Sequence, residues 1–146
     1  MKKFLSYLIF YIIQFTWGIV TNIIGMIVAI AMIITLHKPH RFGPSIYFQL
    51  KCMEGSGFEL GIFFLIGTNT SNHVKYHEAG HGIQNMFLGP LFPFLVAIPS
   101  FIRYWYREFK YYKKGLYPKT DYDNIWFEGQ ATRLGHKHYY GLNVKR

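Results

Sequence analysis

His77 and His81 stand four residues apart, with Glu78 directly after the first, in the stretch HEAGHGIQ. On an α-helix, positions i and i+4 share one face. Two neutral imidazoles on one face can bind one metal ion. The glutamate then faces the open coordination position, where it can take a proton from a metal-bound water. Bound zinc lowers the pKa of such a water to about 7. This points to metal-assisted hydrolysis, with His77 and His81 as ligands and Glu78 as general base. The plainer reading is two surface histidines and a solvated glutamate on a helix.

A catalytic zinc takes three protein ligands and keeps one position open. Spacing alone leaves the third ligand open among Glu128, His136, His138, His37, His40 and Asp123. His73, four residues before His77, is a rival partner, but no glutamate follows it.

The motif needs a helix to carry it. The loop GTNTSN offers Ser71 or Asn72 as an N-cap, and Gly89-Pro90 ends or kinks the chain after Leu88. Inside that helix Gly80 costs roughly 1 kcal/mol relative to alanine. Its presence hints at close approach by another element. Upstream, residues 46–50 and 58–65 read as two short strands, joined by a hairpin-like KCMEGSG. The stretch HKPHRFGPS before them is a polar break. Downstream, residues 91–102 are apolar but short for a span, and Pro93 and Pro99 interrupt them. They lead into RYWYREFKYYKK, a basic aromatic stretch that suits a membrane interface or a core helix of the domain. Residues 115–124 read as a loop and 125–134 as a last helix. The expected class is α+β.

Residues 4–36 carry no charge. As one helix they would extend about 50 Å, against roughly 30 Å of bilayer hydrocarbon. One long tilted membrane helix is therefore expected, with a hairpin turning near Gly18 or Thr21-Asn22 as the alternative. Gln14, Thr16, Thr21 and Asn22 are expected to face protein rather than lipid. This divides the chain into a transmembrane segment, 1–36, and a compact membrane-associated domain, 37–146.

Composition narrows the partners. The 146 residues are 51% apolar and 20% aromatic, which excludes disorder, and the formal net charge is +9. Such an excess suits an anionic surface. No nucleic-acid signature appears, so anionic lipid is the expected partner. Cys52 stands alone, which excludes an internal disulfide and a cysteine-ligated zinc finger.

The segment FEGQATRLG at 127–135 resembles the second motif of the gluzincins. The resemblance implies that Glu128 is the third ligand, completing a zinc site with His77 and His81, and that Ala131 is the small residue one turn on. Thr132 stands where that family carries an acid that orients the first histidine. The departure implies that another group does this work, or that metal affinity is weakened. HEAGHGIQNMFLGPLFPFLVAIPS is similar to a group of small bacterial membrane-associated HExxH proteins, as are FTWGIVTNIIGMIVAI and GSGFELGIFFLIG. Together these imply a zincin-like fold, with a strand pair on the active-site helix and the third ligand on the C-terminal helix. The implied activity is that of a zinc metallopeptidase acting on a peptide or protein at the bacterial inner membrane. The alternative is a non-catalytic small basic membrane protein with a structural or vestigial metal site. Tyr139, Tyr140, His136 or His138 could polarise the scissile carbonyl.

One topological condition follows. If 4–36 and 91–102 each crossed the membrane once, His77 and Glu128 would lie on opposite sides. A shared metal therefore requires that 91–102 does not cross. Lys2 and Lys3 compete with Lys38 and Arg41 over orientation; the catalytic part is expected on the cytoplasmic face.

Overall fold

The computed structural model describes residues 2–53 and 55–139. These form an α+β fold of five α-helices and a four-stranded mixed sheet. In chain order the elements are α1 (Lys2–Thr16), α2 (Ile19–Ile34), β1 (His40–Phe42), β2 (Ser45–Leu50), β3 (Gly57–Leu60), β4 (Phe63–Gly67), α3 (Asn72–Leu88), α4 (Ile98–Lys110) and α5 (Trp126–Tyr139).

The sheet order is β1-β2-β4-β3. β1 pairs antiparallel with β2, β2 runs parallel to β4, and β3 pairs antiparallel with β4. Two expectations are corrected here. The single strand expected at 58–65 is a hairpin that turns at Gly61 and Ile62, and the polar break contributes β1. Gly61 has φ 80°, and a Cβ there would lie 2.4 Å from Asn22 Oδ1. Both the backbone conformation and the space require glycine. With β3 folded back on β4, β2 finds its partner across a crossover instead of across KCMEGSG.

The single long N-terminal helix does not form. The chain bends by 95° between α1 and α2, and no single helix among the described residues is long and apolar enough to cross a membrane. The elbow lies at Trp17 and Gly18, near one of the two turns considered above. It has a polar cause. Asn22 Nδ2 donates to Gln14 O, Gln14 Oε1 and Gly18 O at 2.7–2.9 Å. Gln14 Nε2 donates in turn to Gly82 O on α3 at 2.7 Å, and Asn85 Nδ2 to Gln14 Oε1 at 2.8 Å. Gln14, Thr21 and Asn22 are buried as expected; Thr16 instead is exposed and bonds back to Ile12 O. Asn22 Oδ1 also accepts from Ile62 N–H, which ties the elbow to the sheet.

α3 is the central element. Tyr76 through Asn85 are all buried. Ser71 stands at its N-cap position, as expected, but its side chain makes no capping bond, and the helix ends at Gly89 as expected. α5 lies against it at backbone contact: a Cβ on Gly80 would fall 1.9 Å from Ala131 O, and one on Gly135 1.7 Å from Tyr76 O. An aromatic core of Phe42, Phe64, Tyr76 and Tyr139, with Ile66 and Ile83, fills the space between sheet, α3 and α5. After α3 the chain passes through a 3-10 turn, Gly89–Leu91, and a π turn, Pro93–Ala97, into α4. The axis swings by 117° across this segment. It thereby doubles back and brings α5 against α3.

Candidate metal centre

α3 carries His77 and His81 on the face turned to α5, and the first turn of α5 carries Glu128. His77 Nε2 and His81 Nε2 are 3.1 Å apart. Glu128 Oε2 lies 3.1 Å from the first and 3.2 Å from the second. All three residues are buried, Glu128 completely, and together they could hold a metal ion. Of the six candidates for the third partner, the fold selects Glu128.

The surrounding hydrogen bonds set how these groups face each other. Gln84 Nε2 donates to Phe127 O and to Gln130 Oε1, both at 2.8 Å. Its Oε1 is thus left to accept from His81 Nδ1 at 2.7 Å. With the proton on Nδ1, His81 turns the lone pair of Nε2 toward the Glu128 carboxylate. Two acceptors at 3.2 Å repel unless a cation lies between them. In the metal-free chain a proton can serve. Burial lowers the pKa of His81, but the Glu128 hydrogen bond and the Glu78 charge outweigh it and push it up to about 9. Glu128 is affected in the opposite sense: burial raises it, yet the bonds from His77 and His81 hold it well below the usual carboxylate range.

His77 Nδ1 lies 2.8 Å from Thr132 Oγ1. The position where an acid was expected therefore still holds the first histidine, through a hydroxyl. Ser100 Oγ, on α4, donates to Glu128 Oε1 at 2.5 Å, and the Tyr122 hydroxyl is 3.3 Å from Ser100 Oγ.

Glu78 follows on the same helix. Burial raises its pKa, against the lowering effect of His77 and His81. β3 lies close over it: a Cβ at Gly57 would come within 2.5 Å of Glu78 Oε1. His77, His81 and Glu78 line a cavity of about 430 Å³ whose walls include Gly57, Phe58, Ser100, Tyr104 and Tyr122. The Tyr122 ring sits 6.3 Å from the His77 ring, and burial pushes its phenol well above the usual range. Glu59 also lines the cavity. Its Oε1 accepts from Gly61 N–H at 2.6 Å, its Oε2 has no partner, and burial raises its pKa well above that of a free carboxylate.

The remaining candidates lie elsewhere. His37 bonds to Thr35 at the end of α2, and His40 stacks on Tyr47 in the sheet. Asp123 reaches the cavity wall but not the trio. His136 meets His73 at 3.2 Å, and His138 is exposed. Tyr139 stacks on Phe42 in the core, so it cannot polarise a substrate carbonyl in the cavity. Tyr140 lies outside the described residues. Sequence reasoning missed Ser100, Tyr122, Gln84 and Glu59. Only Gln84 left a local signal, being one turn from His81 on the same helix.

Compared with known proteins, the chain matches no family model, no curated protein and no solved structure.

Proposed function

We propose that this protein is a membrane-seated, zinc-dependent metallopeptidase. One observation carries the reading: the buried convergence of His77, His81 and Glu128, with donor atoms 3.1–3.2 Å apart. Tetrahedral zinc with bonds of about 2.0–2.1 Å sets its ligands roughly 3.3–3.4 Å apart, so the trio fits after a shift of about 0.2 Å. Two imidazoles and a carboxylate are also a donor set typical of hydrolytic zinc. Among the described residues no fourth protein donor closes the group. Structural sites are closed, so this favours a catalytic over a structural role.

When bound, zinc would supply Lewis acidity and a water acidified to near neutrality. The chain's own residues do the rest. Thr132 and Gln84 hold the two imidazoles in their ligating orientation. Glu78, buried and with a raised pKa, takes the proton of the attacking water and returns it to the leaving amine. The Tyr122 hydroxyl, on the cavity wall, can donate to the carbonyl oxygen as charge develops on it. β3 is an edge strand whose Gly57 and Phe58 line the cavity, so an extended peptide can lie along that part of it.

The exposed surface supports the membrane seat. Ile23, Ile27 and Ile30 on α2, and Phe94, Phe101 and Ile102 around α4, are about half exposed or more. So many large exposed apolar side chains are unusual on a soluble monomer. Arg103, Lys110, Lys113 and Lys114 on and just after α4 suit anionic headgroups, which supports a seat on the cytoplasmic face of a bacterial inner membrane.

The test is zinc content and peptide hydrolysis of detergent-purified protein. Near one zinc per chain is expected in wild type, lost in Glu128→Ala. In Glu78→Gln the zinc is retained and hydrolysis falls at least 100-fold. Wild type without zinc refutes the reading.

A further inference from the structure

One charged side chain in the same cavity has no role in the chemistry above. Arg107 lines the cavity and is only 6% exposed. Its Nη1 donates to Thr120 O at 2.9 Å, and its guanidinium carbon lies 5.6 Å from the centre of the Tyr122 ring. Its Nε is buried without a partner. The only ion pairs among the described residues join the two histidines to Glu128, so no carboxylate of the described residues lies within 4 Å of the Arg107 guanidinium. Glu108, its neighbour in the chain, also reaches the cavity wall but does not pair with it.

A buried cation without a counter-anion is costly. A carbonyl and a ring face offset part of that cost, but the guanidinium keeps free N–H donors in a planar fork that matches a carboxylate. Position completes the argument. Tyr122 lies between Arg107 and His77, with centres 5.6 Å from the one and 6.3 Å from the other. The guanidinium is therefore within about 12 Å of the metal ligands, a distance an extended peptide covers in about three residues at roughly 3.3–3.6 Å each.

We propose that Arg107 is the specificity residue of this cavity and receives a carboxylate of the peptide substrate within about three residues of the bond cut. The inference rests on the peptidase reading above. The carboxylate has two possible sources, the α-carboxylate of the substrate's C-terminus or an Asp or Glu side chain.

The experiment measures inhibitor binding to the zinc-loaded full chain in detergent. Four short peptide hydroxamates serve as probes. One has a free C-terminal carboxylate two residues from the chelating group. The second is its C-terminal amide. The third is the amide with an aspartate at the same distance. The fourth carries its carboxylate six residues away. Wild type should bind the first or third at least tenfold more tightly than the amide, and which of the two gains identifies the source. The fourth should gain little, which separates Arg107 from general attraction to a basic protein. In Arg107→Met the gain should vanish while amide binding is unchanged; Arg107→Lys should keep part of it. Equal binding of all four probes by zinc-loaded wild type overturns the proposal and leaves the metal centre standing. So does a gain that persists in Arg107→Met. Should that variant fail to fold, the wild-type ranking and Arg107→Lys decide. Absence of zinc and of all probe binding would remove the peptidase reading, and this inference with it.

Discussion

Thr132→Val removes one hydroxyl and keeps a β-branched side chain of nearly the same volume. In the structure that hydroxyl lies 2.8 Å from His77 Nδ1, the one hydrogen-bond partner of that nitrogen among the described residues. Loss of an outer partner of a metal-ligating histidine typically lowers metal affinity 10–100-fold, which is about 1.4–2.7 kcal/mol. Two features place this case at the lower end. The partner is neutral, and this bond is only part-buried, so water can replace some of it. We expect a loss of about tenfold in zinc affinity, measured by competition with a chromophoric chelator at fixed pH. Thr132→Asp, which supplies a charged acceptor, should bind zinc more tightly than wild type. Circular dichroism of the metal-free variants should match wild type, since only an outer partner has changed. If Thr132→Val binds zinc within twofold of wild type while Thr132→Asp is also unchanged, the hydroxyl does not orient His77. The account of how this site tolerates the missing acid would then be wrong.

Two further outcomes follow from the same geometry. Zinc must displace the proton that His81 shares with Glu128. Since that histidine is pushed up to about 9, apparent zinc affinity should rise by about tenfold per pH unit from pH 7 toward 9, then level off. In the metal-free chain the raised His81 contributes stability that is fully present below its unfolded pKa of about 6.5. That contribution is lost as pH rises through about 9. The lowered Glu128 contributes above about pH 4.5, and this is lost as pH falls toward its folded value. Urea melts across pH should show the His81 contribution lost above about pH 6.5 and the Glu128 contribution lost below about pH 4.5, while the raised Glu59 and Glu78 add a loss of metal-free stability that begins above about pH 4.5. Gly80→Ala should destabilise the protein by about 3 kcal/mol or more in urea melts and lower zinc content, because its methyl would strike Ala131 O and force α5, with Glu128, away from α3.

The helix that bears the motif was readable because its signals are local. Ser71, the i,i+4 histidines and Gly89-Pro90 lie within a few turns of one another, and α3 starts and stops where they say. Gly80 also spoke correctly, since a glycine inside a helix implied a close neighbour and α5 is that neighbour. The elbow at Gly18 was harder to read. Hydropathy across 4–36 is nearly uniform, and the bend depends on Asn22, Gln14 and Asn85 meeting in three dimensions. The parallel pairing of β2 with β4 has no signal in either strand alone. Ser100 and Tyr122 reach the centre from a helix and a loop whose spacing to the motif follows no period. Thr132 was noticed for the charge it lacks; its hydroxyl proved to stand in the acid's place.

The bond from Gln14 to Gly82 O has a mechanical consequence. It joins the elbow of the apolar N-terminal helices to the residue next to His81, and Asn22 holds the other side of that elbow to the sheet. Opening the joint would strand several amide groups in apolar surroundings. Under the proposed membrane seat, the helices and the metal centre should therefore move as one rigid piece when the bilayer flexes. Under the proposed activity, the height of the cutting point above the lipid is built into the chain. Such an enzyme would select its bonds partly by altitude, as a ruler does, and side-chain recognition would act only within that narrow band.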